Sequence, residues 1–193
     1  MTAGMVQGGP GATQAAAGRA VLELHLGELR QLFNSMDPAP FRERDLDPKA
    51  TDYIVDWATE APAGQALAMV VRLDKPTPDG ALPGDAVREY FQRRAVAKRR
   101  ELSKLFRVGR ISLVIGLAFL GGAISAGEAL GNLVAKDSHA YLLRESLAIG
   151  GWVALWRPLE IFLYDWWPLR AQARLYDRLG AMQVTLRGAE TAA

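Results

Sequence analysis

At 193 residues the chain has room for one or two small units, and the absence of cysteine excludes disulfides, thiolate metal sites and cysteine nucleophiles. Its net charge of +2 is small, but the lysines and arginines are clustered, so their positions say more than their sum. Apolar residues are spread just as unevenly.

Met1 to Gly18 is rich in Gly and Ala and lacks a basic start and an apolar core, so residues 1–18 read as a disordered tail and not as a signal peptide. Leu22, Leu24 and Leu26 then alternate with Glu23 and His25, the period of a half-buried strand. After Gly27 the spacing of Leu29, Leu32, Phe33 and Met36 turns helical and predicts a short amphipathic helix, ended by Pro38 and Pro40. Asp47 and Pro48 suit the N-cap and first position of a second helix, with Ala50, Tyr53, Ile54, Trp57 and Ala58 on one apolar face. Ala63 to Leu73 becomes rich in β-formers, and prolines and glycines across residues 75–84 mark a linker. Residues 19–74 are thus expected to form a small cytoplasmic α+β unit in the order strand, helix, helix, strand. Its core is small enough to need a further surface: the basic helix that follows, the membrane, or a second copy pairing strand edges.

Residues 85–110 predict a long basic amphipathic helix with Val87, Tyr90, Phe91, Ala95, Leu102, Leu105 and Phe106 along one side. Arg93, Arg94, Lys98, Arg99, Arg100, Lys104, Arg107 and Arg110 occupy much of the rest and are the expected contacts to anionic lipid headgroups. The same charges would suit nucleic acid, but the apolar run beside them already accounts for them, so nucleic acid is not an expected partner.

That run, residues 111–134, carries no charge except Glu128 and is long enough to cross a bilayer as a first transmembrane helix. Whether the basic helix continues straight into it or lies in the interface is open. Ala123, Gly127 and Gly131 recur every four residues, with Gly121 and Ser125 in a neighbouring row. Such rows let helices approach closely, although glycine is common in membrane helices in any case. Glu128, near the outer end, is expected to reach water.

After a periplasmic loop at 135–146, residues 147–167 predict the second transmembrane helix, and 168–193 a cytoplasmic C-terminal helix and tail. Arg157 within the second span costs roughly 2.5–3.5 kcal/mol to insert, so it needs a partner or an interface. Glu160, three positions on, shares its helix face. Pro158 between them has no amide hydrogen, which frees the Ala154 carbonyl and predicts a bend. Tyr164, Trp166 and Trp167 suit the headgroup level, and Pro168 would end or kink the helix. With Ile111 and Trp167 at one interface, Gly121 and Gly122 would lie at the depth of Arg157, and Gly150 and Gly151 near Glu128. Basic residues before the first span and Arg170, Arg174 and Arg178 after the second outweigh a loop in which Lys136 and Arg144 face Asp137 and Glu145. The positive-inside rule then makes both termini cytoplasmic. The expected fold class is an α-helical membrane protein, a two-span transmembrane hairpin carrying the α+β unit and the basic helix.

The run Asp37-Pro38-Ala39-Pro40-Phe41-Arg42-Glu43-Arg44-Asp45-Leu46-Asp47, and the group Trp156-Arg157-Pro158-Leu159-Glu160 with Tyr164, Trp167 and Pro168, resemble a group of uncharacterised bacterial two-span inner-membrane proteins. The resemblance covers most of the chain after the tail and implies a bacterial inner-membrane protein. It brings no activity, substrate or catalytic residue with it.

Asp45 and Asp47 with Arg42 and Arg44 would suit a cation or a phosphate, or more simply a solvated turn with a helix cap. His25 and His139 have no companion ligand at useful spacing, and no phosphate loop, dinucleotide-binding glycine pattern or nucleophile elbow occurs, so neither cofactor nor metal is expected. Two readings follow. One is a non-enzymatic assembly, scaffold or accessory subunit of a membrane complex, homo-oligomeric or bound to another membrane protein. The alternative is a homo-oligomeric ion or proton transport component that uses Arg157 and Glu160. A membrane-tethered enzyme ranks third because no acid/base or nucleophile constellation stands out.

Overall fold

The alternating leucines form strand β1 (Arg19–Leu26), and the second apolar run forms β2 (Ala66–Leu73). The two pair in parallel, Leu22 opposite Met69, so the chain between them must cross over. The computed structural model describes residues 18–34, 36–37, 44–75, 83–133 and 138–188. The expected tail, most of the 75–84 linker and the Pro38 to Glu43 part of the acidic-basic run therefore lie outside the described residues. The described chain divides into two units, Met1–Val96 with Gln172–Ala193, and Ala97–Ala171.

In the first unit the crossover holds one 3-10 turn (Leu29–Leu32) and helix α1 (Pro48–Glu60). The amphipathic helix expected from Leu29 to Met36 is absent, because the backbone is captured by the returning chain. Asn34 N–H donates to the Asp45 carbonyl and Asp47 N–H to the Leu32 carbonyl, which leaves Met36 87% exposed. Helix α1 begins as its residues dictate: the Asp47 carboxylate accepts from the amides of Lys49 and Ala50, with Pro48 in the first turn. Thr51, Ile54 and Ala58 form its buried stripe, whereas Tyr53, expected on that face, is exposed.

A third strand corrects the expected two. Residues assigned to the C-terminal tail form β3 (Gln183–Gly188), parallel to β2 with Val184 opposite Met69, and the order is β1-β2-β3. The connection from β2 to β3 contains every remaining helix: α2 (Pro83–Leu133), α3 (Ser138–Glu160), a π-helical segment (Ile161–Asp165) and α4 (Trp166–Gly180). The first turns of α2 and the end of α4 cover one sheet face. Val87, Tyr90, Phe91, Leu179 and Met182 share a core with Leu32, Ile54, Met69 and Val71. Of the three surfaces left open for this small unit, the start of the basic helix is the one that covers it, together with the chain's own C-terminal segment. Gly180 lets α4 close on α2, since a methyl there would stand 2.9 Å from Gln92 Cγ, and Gln92 Nε2 donates to the Gly180 carbonyl at 3.2 Å. Arg178 adds a tie by donating to the Pro62 and Gln65 carbonyls at 3.1 and 3.2 Å.

The second unit is a helical hairpin. Helix α2 is unbroken from the basic stretch into the apolar one, which settles the question left open by sequence. Helix α3 starts at Ser138, inside the stretch expected as loop, and Pro168 does not end the last helix, which runs to Gly180. Proline is tolerated there because it falls in the first turn of α4. Two helical stretches are long and apolar enough to cross a membrane, and only 17% and 22% of their apolar windows are buried within the chain.

Candidate functional site

Three glycines set the register of the hairpin. A methyl at Gly109 would stand 2.8 Å from Ile161 Cγ2, one at Gly116 would stand 3.0 Å from the Ala154 carbonyl oxygen, and one at Gly151 would stand 3.2 Å from Leu120 Cα. The helices are therefore antiparallel and touch at backbone distance, as small residues permit. Ala123 is buried, as is Gly127, but Gly121 meets no described atom within 4 Å, and the surroundings of Gly131 are outside the described residues. Gly109, Gly116 and Ala123 recur at intervals of seven. This heptad is the spacing of a two-helix seam, and it shares Ala123 with the four-residue row, of which Gly127 is also buried.

This register moves Arg157. It lies between the level of Leu155, which meets Gly116, and that of Ile161, which meets Gly109. Arg157 is therefore close to the start of the apolar run at Ile111, about two helical turns from the Gly121 and Gly122 depth expected for it. Pro158 between these levels is fully buried. It removes the amide that would bond the Ala154 carbonyl, and that oxygen lies over Gly116, where any side chain would crowd it.

Directly after Pro158 the helix widens into the π segment. One residue more per turn rotates everything beyond it, so Asp165 comes round to the face of Arg157. Arg157 Nη1 lies 3.1 Å from Glu160 Oε2 and 3.2 Å from Asp165 Oδ2, and Trp156 Nε1 donates to Glu160 Oε1 at 2.9 Å. The expected pair is thus a three-membered group. Asp165 was missed because regular helical spacing puts it on another face, and only the π turn brings it in. The side chains are 60%, 40% and 34% exposed, so none of them is enclosed by the described residues. Trp166 Nε1 donates to the Phe162 carbonyl at 2.9 Å, satisfying an acceptor inside the π turn.

The eight basic residues divide. Arg93 and Arg94 belong to the first unit, where Arg93 reaches Asp45 at 3.4 Å and Arg94 lies 5.1 Å above the Tyr90 ring. Lys98, Arg99, Arg100, Lys104, Arg107 and Arg110 belong to the second. There Lys98 pairs with Glu101 at 2.8 Å, and Arg110 Nε donates to the Phe106 carbonyl at 3.3 Å. Arg110 borders a groove of about 470 Å³ that the sequence did not announce, lined by Arg99, Leu102, Ser103, Phe106, Arg110 and Phe162.

Asp47 serves as a helix cap and Asp45 as a partner of Arg93, while Arg42 is outside the described residues. His25 is exposed on the open sheet face, and Glu128 is exposed. Among the described residues no three His, Asp or Glu side chains converge as a metal site requires. No protein-family model, curated protein or solved structure matches the chain.

Proposed function

We propose that the chain is a bacterial inner-membrane protein with both termini cytoplasmic, acting without catalysis as an assembly, scaffold or accessory subunit of a membrane complex. The observation that carries this reading is the outward apolar surface of the helical hairpin. Ile115, Leu117, Phe119, Trp152, Val153 and Leu163 are each more than half exposed, on helices held together by glycine contacts. Water would not tolerate so continuous an apolar patch, and lipid would. Assembly is supported by the exposed Arg157 group within the apolar hairpin, which a neighbouring chain would cover, and by β1 and β3, which each have a single strand neighbour among the described residues. The undersized core expected from sequence no longer supports assembly, because the chain's own helices and third strand fill it.

Reporter fusions test the topology: either terminus should read as cytoplasmic and an insertion at Asp137 as periplasmic, and the reverse pattern would overturn the charge argument. Crosslinking and native electrophoresis in mild detergent test assembly. A strictly monomeric species with no copurifying partner would refute it.

A second reading, a homo-oligomeric ion or proton transport component, is favoured by the π segment and its charged group, since single π turns recur at functional sites. Two spans enclose no pore, so this reading also requires several copies. Proteoliposome flux that is absent, or unchanged by Arg157→Gln and Glu160→Gln, would remove it.

A further inference from the structure

We propose that copies of the chain join head to tail through their sheet edges, β3 of one running parallel to β1 of the next, with Arg187 beside Glu23 of that next copy. The inference rests on the assembly reading above and names the partner, a second copy, and the surface it uses.

All three strands point the same way, and β1 and β3 each have one strand neighbour among the described residues. The far side of β3 therefore offers β1 of another copy the same parallel ladder that β2 offers β1 within the chain. The core stops short at both edges. Leu67, Met69, Val71 and Leu73 of the central strand are buried, whereas Leu24 and Leu26 of β1 and Val184 and Leu186 of β3 are only partly so.

Charge sets the register. On the open face the strand pairing puts Arg187 directly beside Arg72, a like charge. Arg72 is answered within the chain by Glu23 at 3.2 Å, but the Arg187 side chain has no ion pair or hydrogen bond among the described residues. A carboxylate can reach it from the far side of β3, where no described strand pairs. Glu23 of a second copy supplies one: it lies on an edge strand, and a carboxylate that holds Arg72 through one oxygen keeps lone pairs for a second guanidinium. With Arg187 beside that Glu23, Thr185 falls beside Val21 and Leu186 beside Leu22, so both faces stay in phase. Self-pairing does less. Antiparallel pairing of β1 with itself about Leu22 sets Arg19 opposite His25, about Glu23 it sets carboxylate opposite carboxylate, and pairing β3 with itself leaves β1 open. A head-to-tail contact uses both edges of each copy and can repeat.

The chain lacks cysteine, so introduced cysteines report the contact directly. Within one copy Val21 and Thr185 are on strands separated by β2, about 10 Å apart by strand spacing and too far for a disulfide, which needs Cα atoms within about 7 Å. Full-length V21C/T185C, oxidised in isolated membranes, should form disulfide-linked bands at multiples of the chain mass, while V21C alone and T185C alone should stay at one. Adding R187E should cut the linked fraction by about tenfold, the loss of one charge-assisted contact, and R187K should keep it. Linking by T185C alone as strong as by the pair would show β3 meeting β3 and overturn the head-to-tail contact. An unlinked pair, or linking indifferent to R187E, would overturn it too. Failure of the assembly reading is separate: if the unlinked protein still migrates as an oligomer or with a copurifying partner in native electrophoresis, only this edge contact falls, whereas a strictly monomeric wild type without a partner removes both.

Discussion

The two units handle apolar residues in opposite ways. In the first, the large side chains are inside: Phe91, Ile54, Met69 and Leu179 are fully buried against one sheet face. In the second, large residues point outward and the helix contact is made at Gly109, Gly116, Ala123 and Gly151. The difference is what the proposed membrane reading requires, with the first unit in water and the hairpin in lipid. A side chain leaving water gains about 25 cal/mol per Å² of apolar surface buried, so a water-facing unit hides its bulk. A side chain already in lipid gains nothing of that kind by moving inward, and helices there associate through close backbone approach.

The comparison breaks most visibly at its two phenylalanines. Phe91→Ala should destabilise the first unit by about 3–5 kcal/mol, the cost of emptying a packed aromatic site. Phe119→Ala, at a position 55% exposed on the hairpin, should leave thermal unfolding of the detergent-solubilised protein unchanged within about 0.5 kcal/mol. If Phe119→Ala proved as costly as Phe91→Ala, the hairpin's outer face would be buried by something other than lipid or detergent.

Glycine substitutions sharpen the second half of the contrast. Gly116→Val pushes into Leu155 and the Ala154 carbonyl and should cost about 1–3 kcal/mol as overpacking, seen as a lower unfolding temperature and faster proteolysis. Gly121→Val meets nothing within 4 Å inside the chain and should be silent in a monomer. A large effect at Gly121 would locate a contact with another protein on that face.

These two faces also mark how far the sequence could be read. The long apolar runs, the Asp47 cap and β1 and β2 were legible because each is a local signal, a period or a cap, carried by adjacent residues. Strand β3 had the same kind of signal, Val184 and Leu186 alternating with Gln183, Thr185 and Arg187, but six residues after a helix are readily taken as a tail until a partner strand is known. The 3-10 turn was misread as a helix because a distant segment, residues 45–47, takes its backbone bonds. Asp165 and the groove depend on the π turn and on the facing helix, and neither is encoded in a spacing rule.

A smaller effect is expected in the Arg157 group. Each of its side chains is partly exposed, so each single interaction contributes about 1 kcal/mol or less. Arg157→Leu removes the shared centre and leaves Glu160 and Asp165 as neighbouring carboxylates, whereas Glu160→Leu leaves the Arg157 to Asp165 contact in place. Arg157→Leu should therefore lower membrane yield and thermal stability more than Glu160→Leu, and adding Glu160→Leu to it should recover part of the loss. Equal, additive losses would show that the two residues have separate partners outside the chain, as assembly with a second protein would require.

The smallest effect belongs to the water-facing unit, at the pair of Glu28 and Lys75, 2.7 Å apart and both exposed. The hydrogen bond and charge of Lys75 hold the Glu28 carboxyl below its ordinary value, and the same contact raises Lys75 above its own. A lowered carboxylate contributes stability above its unfolded pKa and loses it as pH falls through the folded one. A raised lysine contributes below its unfolded pKa and loses it as pH rises through the folded one. The pair therefore acts across the whole neutral range and produces no pH dependence there, and solvent and salt screen what it contributes. Lys75→Gln should leave the unfolding temperature nearly unchanged at neutral pH. Any small deficit should shrink in wild-type comparison below the ordinary carboxylate range, where Glu28 is protonated in both proteins. A deficit that grows with acid would mean that Lys75 answers to a different group, and that this corner of the sheet is not as open to water as its side-chain exposure indicates.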